Sequence, residues 1–173
     1  MTQTVSTDRR SLLAVLGFAA GAGVLGTREA LAQMQMQISP DQYRISALAD
    51  GQFAIETSRL AQQNSRNQEL VNFTQAEINE QLSIAAQLGA VPGSVPPRPD
   101  QVAIIQQLAS TPRGRSFDRA YVVGQIAGHR ELLSLNRSYA SNGFDPFGRQ
   151  VAVTALPIIE NHLQVLSYLR STI

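Results

Sequence analysis

The stretch FDRAYVVGQIAGHRELLSLNRSYA, Phe117 to Ala140, carries apolar residues at Phe117, Tyr121, Val122, Ile126, Leu132, Leu133 and Tyr139. Their spacing near three and four gathers them on one side of a helix, and that side needs other helices to bury it. His129, one of two histidines in the chain, falls within this stripe. Gly124 and Gly128 form a Gly-x-x-x-Gly pair, which in a soluble bundle permits close helix approach rather than ligand binding. Ser116 is placed to cap this helix, with Asp118 in its first turn.

Downstream, SNGFDPFG (141–148) is a turn. The last helix is expected over about Phe147 to Leu169, with a seam at Ala152, Leu156, Ile159, Leu163 and Leu166 and a kink at Pro157. Upstream, a short helix from Gln101 to Ser110 is capped by Asp100 and stops at Thr111-Pro112-Arg113-Gly114. Before it, AVPGSVPPRP (90–99) has four prolines in ten residues and reads as a crossing between two halves of one bundle.

A second helix spans about Gln68 to Leu88, with Leu70, Phe73, Ile84 and Leu88 on one stripe, Ile78, Leu82 and Ala85 beside it, and Gly89 as its stop. The polar NSRN (64–67) turns the chain back onto a first helix that begins after Ser39 at Pro40 and ends near Gln63. Its apolar face is Ile45, Leu48, Ala49, Phe53, Leu60 and Ala61, with Gly51 a weak point. No segment alternates with period two. The pattern predicts an all-α protein, an up-and-down four-helix bundle with one extra short helix, in a single domain over 39–173.

The first 32 residues stand apart. Arg9 and Arg10 precede an uncharged run, Leu12 to Leu25 is apolar but short for a membrane span, and Ala30-Leu31-Ala32 offers small residues for cleavage. This predicts a cleaved signal peptide, 1–32. The paired arginines before Ser11-Leu12-Leu13 resemble a twin-arginine signal. Residues 33–38 then form a flexible leader, and export to the periplasm or cell envelope of a bacterium follows.

Of 14 basic and 13 acidic residues, Arg9, Arg10, Arg28, Asp8 and Glu29 lie in the predicted signal, so the remainder is neutral. A nucleic-acid partner would need a basic face to neutralise phosphates. No membrane span is predicted after cleavage. Lysine and cysteine are both absent, which excludes their chemistry and leaves stability to packing. No Gly-x-Ser-x-Gly elbow or phosphate-binding glycine loop occurs. Met34 and Met36 are only two thioethers in a leader.

Polar residues that could carry chemistry are His129, His162, Glu160, Glu131, Asp118, Glu56, Glu77 and Glu80. The Glu-x-x-His motif of di-metal bundles is absent. Glu160 with His162, and His129 with Glu131, are two apart and point to different faces. The two histidines each lie on or beside the apolar stripe of their own helix and can meet across neighbouring helices. With a carboxylate such as Glu80 or Glu56 they suit zinc, copper or iron. Hydrogen bonding to a carboxylate or tyrosine on a facing helix is the other reading.

Phe117-Asp118-Arg119-Ala120-Tyr121 followed by Gln125 and His129, and Leu156-Pro157 followed by His162-Leu163, resemble the "FD-x-x-Y … Q-x-x-x-H" and "LP-x-x-x-x-HL" patterns of the exported bacterial DUF4142 domain. The resemblance implies a ferritin-like four-helix bundle with no assigned activity and marks Asp118, Tyr121, Gln125, His129 and His162 as positions of interest. Where that family commonly has Asp-His on its second helix this chain has Glu80-Gln81. Where its first helix commonly has Glu this chain has Ala54, with Glu56 two positions on. The leading expectation is a non-catalytic structural or interaction module, with an envelope protein or a second copy as partner. The alternative is a metal-binding or redox bundle using His129 and His162, with Glu80.

Overall fold

Ser39 opens the first helix as its place before Pro40 requires: its hydroxyl accepts from the Gln42 backbone N–H at 3.2 Å, and the Gln42 side chain returns to the Ser39 N–H at 3.1 Å. The structure is a computed structural model and describes residues 37–173, within which Ile38–Ile173 is one unit. The predicted signal peptide, 1–32, and most of the leader lie outside the described residues. Ile38, at the leader's end, packs against the core.

Among the described residues there are five helices and no strands. They are α1 (Pro40–Asn64), α2 (Gln68–Gln87), α3 (Pro99–Ser110), α4 (Arg115–Asn142) and α5 (Pro146–Thr172). None of these is long and apolar enough to cross a membrane. The α1–α2 and α4–α5 pairs are the closest packed. Contacts between α1 and α4 come next, and the α2–α5 seam is the thinnest of the four sides.

Partners along the helices set their directions. Tyr43 meets Asn136 and Asn64 meets Arg113, so α1 runs against α4. Glu69 meets Tyr168 while Glu77 meets His162, so α2 runs against α5. Each hairpin goes up and down, and α4 therefore runs parallel to α2. The Pro-rich stretch and α3 carry the chain back along the bundle, the single long crossover of ferritin-like folds.

An ion-pair group fastens that crossover. Arg98 pairs with Asp50 of α1 and, at 2.8 Å, with Glu131 of α4. Gln101 donates to Asp50 Oδ1 at 2.7 Å. Burial raises the Asp50 pKa, and Arg98 only partly opposes this. Arg98→Met is therefore expected to destabilise the protein by about 2 kcal/mol. That is below the cost of breaking a fully buried pair because the arginine is partly exposed and Gln101 remains. Urea unfolding measures it, and an unchanged midpoint would show that the crossover needs no fastening.

Four details differ from the sequence reading. Asp100 is not the cap of α3: Pro99, with its fixed φ, takes the first helical position and moves the cap position to Arg98. Ser116 lies inside α4, because Gly114 at φ 103° makes the turn before it. Ile45 is more than half exposed, since Tyr43, Ala47, Asp50 and Ala54 form the buried face of α1. Gly51 is no weak point but a close approach: a Cβ there would lie 2.8 Å from Gln81 Oε1. Gly128 likewise admits Phe53, whose ring would stand 3.2 Å from a Cβ.

The core has two apolar ends. One gathers Leu70, Phe73, Phe117, Tyr121, Ile126 and Leu166, and the other Tyr43, Ala47, Leu88, Tyr139, Val151 and Ala152. Tyr43 and Tyr139 stack with ring centroids 3.9 Å apart. Between the two ends lies a buried polar layer.

Candidate metal centre

Three helices contribute to this layer at the point where their apolar stripes would otherwise continue. On α4, His129 comes between Ile126 and Leu132. On α5, His162 comes between Ile159 and Leu166. On α2, Glu77 fills the gap in the stripe between Phe73 and Ile84. Glu77, His129 and His162 are 0%, 3% and 4% exposed. Three ionisable groups so deep must be paired with one another or with a cation.

Their inner atoms converge. His162 Nδ1 lies 2.6 Å and His129 Nε2 3.1 Å from the same oxygen, Glu77 Oε2, and the two ring nitrogens are 3.2 Å apart. Their outer atoms face other partners. His129 Nδ1 donates to the Gln125 backbone carbonyl at 2.9 Å, and a carbonyl can only accept, so the proton is on Nδ1. Gln81 Nε2 donates to Glu77 Oε1 at 2.9 Å. Glu80 Oε2 stands 2.7 Å from His162 Nε2. That oxygen is buried with no aligned hydrogen bond. Phe73 closes one side, edge-on to His162 at 5.1 Å between centroids.

The electrostatics follow from burial and mutual charge. Burial acts to raise the Glu77 pKa, but His129 and His162 together overcome it and hold the carboxyl below its usual range. Burial acts to lower the His129 pKa, but Glu77, the Gln125 carbonyl and Glu80 outweigh it and raise the value. Glu80 is raised by burial and by the Glu77 charge, which the histidines only partly offset. The inner face of the triad thus attracts positive charge, either a proton on His129 Nε2 or a metal ion.

The other residues singled out by sequence fall in two groups. Tyr121 and Gln125 belong to the polar layer: Tyr121 shares a 2.9 Å hydrogen bond with Ser58, and Gln125 Nε2 donates to Thr57 Oγ1 at 2.6 Å. Burial and the Glu77 charge push the Tyr121 pKa well up. Asp118 is buried near the start of α4, with Oδ1 unpartnered. Glu56 lies off the site and accepts from Gln52 at 2.8 Å. Glu160 and Glu131 pair with Arg137 and Arg98.

Glu77 was among the polar candidates but is the member that the sequence reading did not choose as the carboxylate beside the histidines. Its signal was a carboxylate in the middle of the Leu70, Phe73, Ile84, Leu88 stripe, four residues before Gln81 and opposite two histidines on stripes of their own. Glu80, preferred by the sequence reading, sits on the outer side of His162.

The three inner atoms suit a metal ion. Ligands held about 2.0–2.1 Å from one tetrahedral ion stand about 3.3 Å apart. Two of the three separations are 3.1 and 3.2 Å, and the third, 2.6 Å between Glu77 Oε2 and His162 Nδ1, is a close polar contact that an ion would have to open. The orphaned Glu80 Oε2 supplies an outer partner for His162, in the manner of carboxylate–histidine pairs around metals.

The DUF4142 family, described as a domain of unknown function, matches residues 25–169. No curated protein matches the chain. Among solved structures, CopM in the Cu(II)-bound form is similar with a TM-score of 0.67 and 15% identity, over 79% of this chain and 99% of that one. That likeness concerns the fold.

Proposed function

The chain belongs to the DUF4142 family, and on that premise we propose that it holds one divalent transition-metal ion, Cu(II) most tightly, in a buried site made by Glu77, His129 and His162. The family is described as a domain of unknown function, so the reading rests on the site and not on the fold. The observation behind it is the convergence of one carboxylate oxygen and two imidazole nitrogens, with a partner at the outer atom of each ligand. A set of two nitrogens and one oxygen without thiolate suits Cu(II), Zn(II) or Fe(II), and among such ions Cu(II) binds most strongly. CopM, a bundle of the same fold, is known in a Cu(II)-bound form.

Holding is favoured over catalysis because all three ligands are nearly fully buried, which limits the access of a substrate to a bound ion. His129 and Glu77 are oriented by Gln125 and Gln81, and Phe73 packs edge-on against His162. Bound, the ion would supply the positive charge that the three inner atoms lack. The same proposal includes export of the folded chain by the twin-arginine route, with cleavage after Ala32. Replacement of Arg9 and Arg10 by lysine would then retain the precursor in the cytoplasm.

Dialysis of the full chain against CuCl2, followed by elemental analysis, tests the site. One ion per chain is expected, with loss of binding in His129→Ala and His162→Ala. A wild-type protein that takes up no copper, zinc or iron overturns the proposal. It would leave an interaction module, which the more than half-exposed Phe144 and Phe147 at the α4–α5 turn favour.

A further inference from the structure

An ion bound at a triad so deeply buried needs a way in, and the thinnest side of the bundle offers one. Between α2 and α5 runs an open groove of about 370 Å³. From α2 it is lined by Glu69, Asn72, Phe73, Ala76 and Glu80, at helical spacings of three and four that make one continuous face. From α5 its wall includes His162 and Tyr168. Ala76 is exposed midway along the α2 wall, and a residue that small leaves the groove open above His162.

Glu80 connects the two environments. Its side chain is about a third exposed toward solvent, yet Oε2 is buried, without an aligned hydrogen bond, and 2.7 Å from His162 Nε2. On its inner side Glu80 also lines a small cavity of about 20 Å³, shared with Gln81, Tyr43 and Asn136. That is room for about one water. A carboxylate with one edge in the groove, the other in the interior and a ligand imidazole in contact is placed to accept a hydrated cation and pass it inward. In the same groove wall Phe73 packs against both histidine rings and offers a cation no oxygen or nitrogen, which leaves Glu80 as the polar group beside His162 there.

We propose that the α2–α5 groove is the route by which the metal reaches and leaves the triad, with Glu80 as its gate and Glu69, at the outer end, as the first carboxylate met. Glu80 takes the cation from the groove and sheds part of its hydration. His162 then turns about its side-chain bonds to let the ion reach Glu77 and His129. Once His162 returns, Glu80 holds its Nε2 from outside. This rests on the metal-binding reading above. It assigns Glu80 a kinetic role, distinct from that of the inner ligands.

The test uses the full chain, CuCl2, stopped-flow absorption for loading and EDTA challenge for release. Two variants separate route from ligand. Ala76→Phe fills an exposed stretch of the groove without replacing a member of the triad. Glu80→Gln keeps an oxygen for His162 Nε2 but removes the charge that draws a cation. Ala76→Phe is expected to load and release copper at least about tenfold more slowly with affinity nearly unchanged, because a blocked route changes both rates together. Glu80→Gln is expected to load at least about tenfold more slowly and still reach one ion per chain, with an affinity loss no larger than the about 10–100-fold of a weakened outer partner. If both variants load at the wild-type rate and bind one ion, the route is overturned and the site stands. If Glu80→Gln fails to reach one ion while Ala76→Phe does, Glu80 is a ligand and the gate is overturned. A wild-type chain that binds no copper removes the site and the route with it.

Discussion

Glu77→Gln is expected to lower Cu(II) affinity by at least about 100-fold while leaving the bundle folded. The substitution keeps the size of the side chain and replaces the one anion on the inner face by a neutral amide. Loss of an outer partner of a metal ligand costs about 10–100-fold, and loss of a ligand itself costs more. Gln81→Ala, which removes the donor to Glu77 Oε1 and touches neither histidine's inner nitrogen, is expected to fall within that smaller range. Glu56→Gln, off the site, is expected to change nothing.

The metal-free Glu77→Gln protein is expected to stay within about 2 kcal/mol of wild type. The buried carboxylate that is lost had to be offset across the interface, and His129, whose raised pKa depends on Glu77, can become neutral in its absence. Competition with a chelator of known affinity measures the binding, and the copper EPR signal reports the change in ligand set. Copper affinity within tenfold of wild type in Glu77→Gln would remove Glu77 from the site.

The bundle was legible because burial of helices imposes a period on sequence. The stripes of α4 and α5 put Phe117, Tyr121, Ile126, Ile159 and Leu166 where they are found, and the prolines of 90–99 marked the crossover. Direction was not legible. Periodicity is the same for a helix running up or down, and only long-range partners such as Tyr43 with Asn136 reveal that α4 runs parallel to α2. The same limit applied to the caps at Asp100 and Ser116, where Pro99 and Gly114 imposed their own geometry.

The histidine pair was legible as two polar breaks in apolar stripes on neighbouring helices. The third member was harder, because Glu77 and Glu80 are three apart on α2 and either can face inward from sequence alone. Rotation of α2 decides between them. Leu70 and Phe73 in the core turn Glu77 inward and leave Glu80 at the edge, next to the solvent groove. A buried carboxylate in an apolar stripe carries more information than an exposed one, since its desolvation must be offset by something across the interface.

Above about pH 6.5 the metal-free protein is expected to lose stability as pH rises, whereas the copper-loaded protein is expected to hold its stability. In the metal-free chain His129 has a raised pKa in the folded state, because Glu77 outweighs the effect of burial. Its contribution to stability is fully present below the unfolded value of about 6.5 and is lost as pH rises through the folded value. Glu77 has a lowered pKa in the folded state. Its contribution is present above the unfolded value of about 4.5 and is lost as pH falls toward the folded one. These two groups give the metal-free protein its greatest stability between those unfolded values.

Copper competes with the proton on His129 Nε2, so its binding strengthens as pH rises toward the folded pKa of that histidine and levels off above it. The stabilisation it confers grows with it, as the logarithm of ion concentration over dissociation constant. Melting temperatures from pH 5 to 8, with EDTA and with a copper buffer at fixed free ion, measure both. Falling values in EDTA and a widening gap between the two curves are expected on the alkaline side. Parallel curves across that range would mean that the ion, if bound, does not displace the His129 proton.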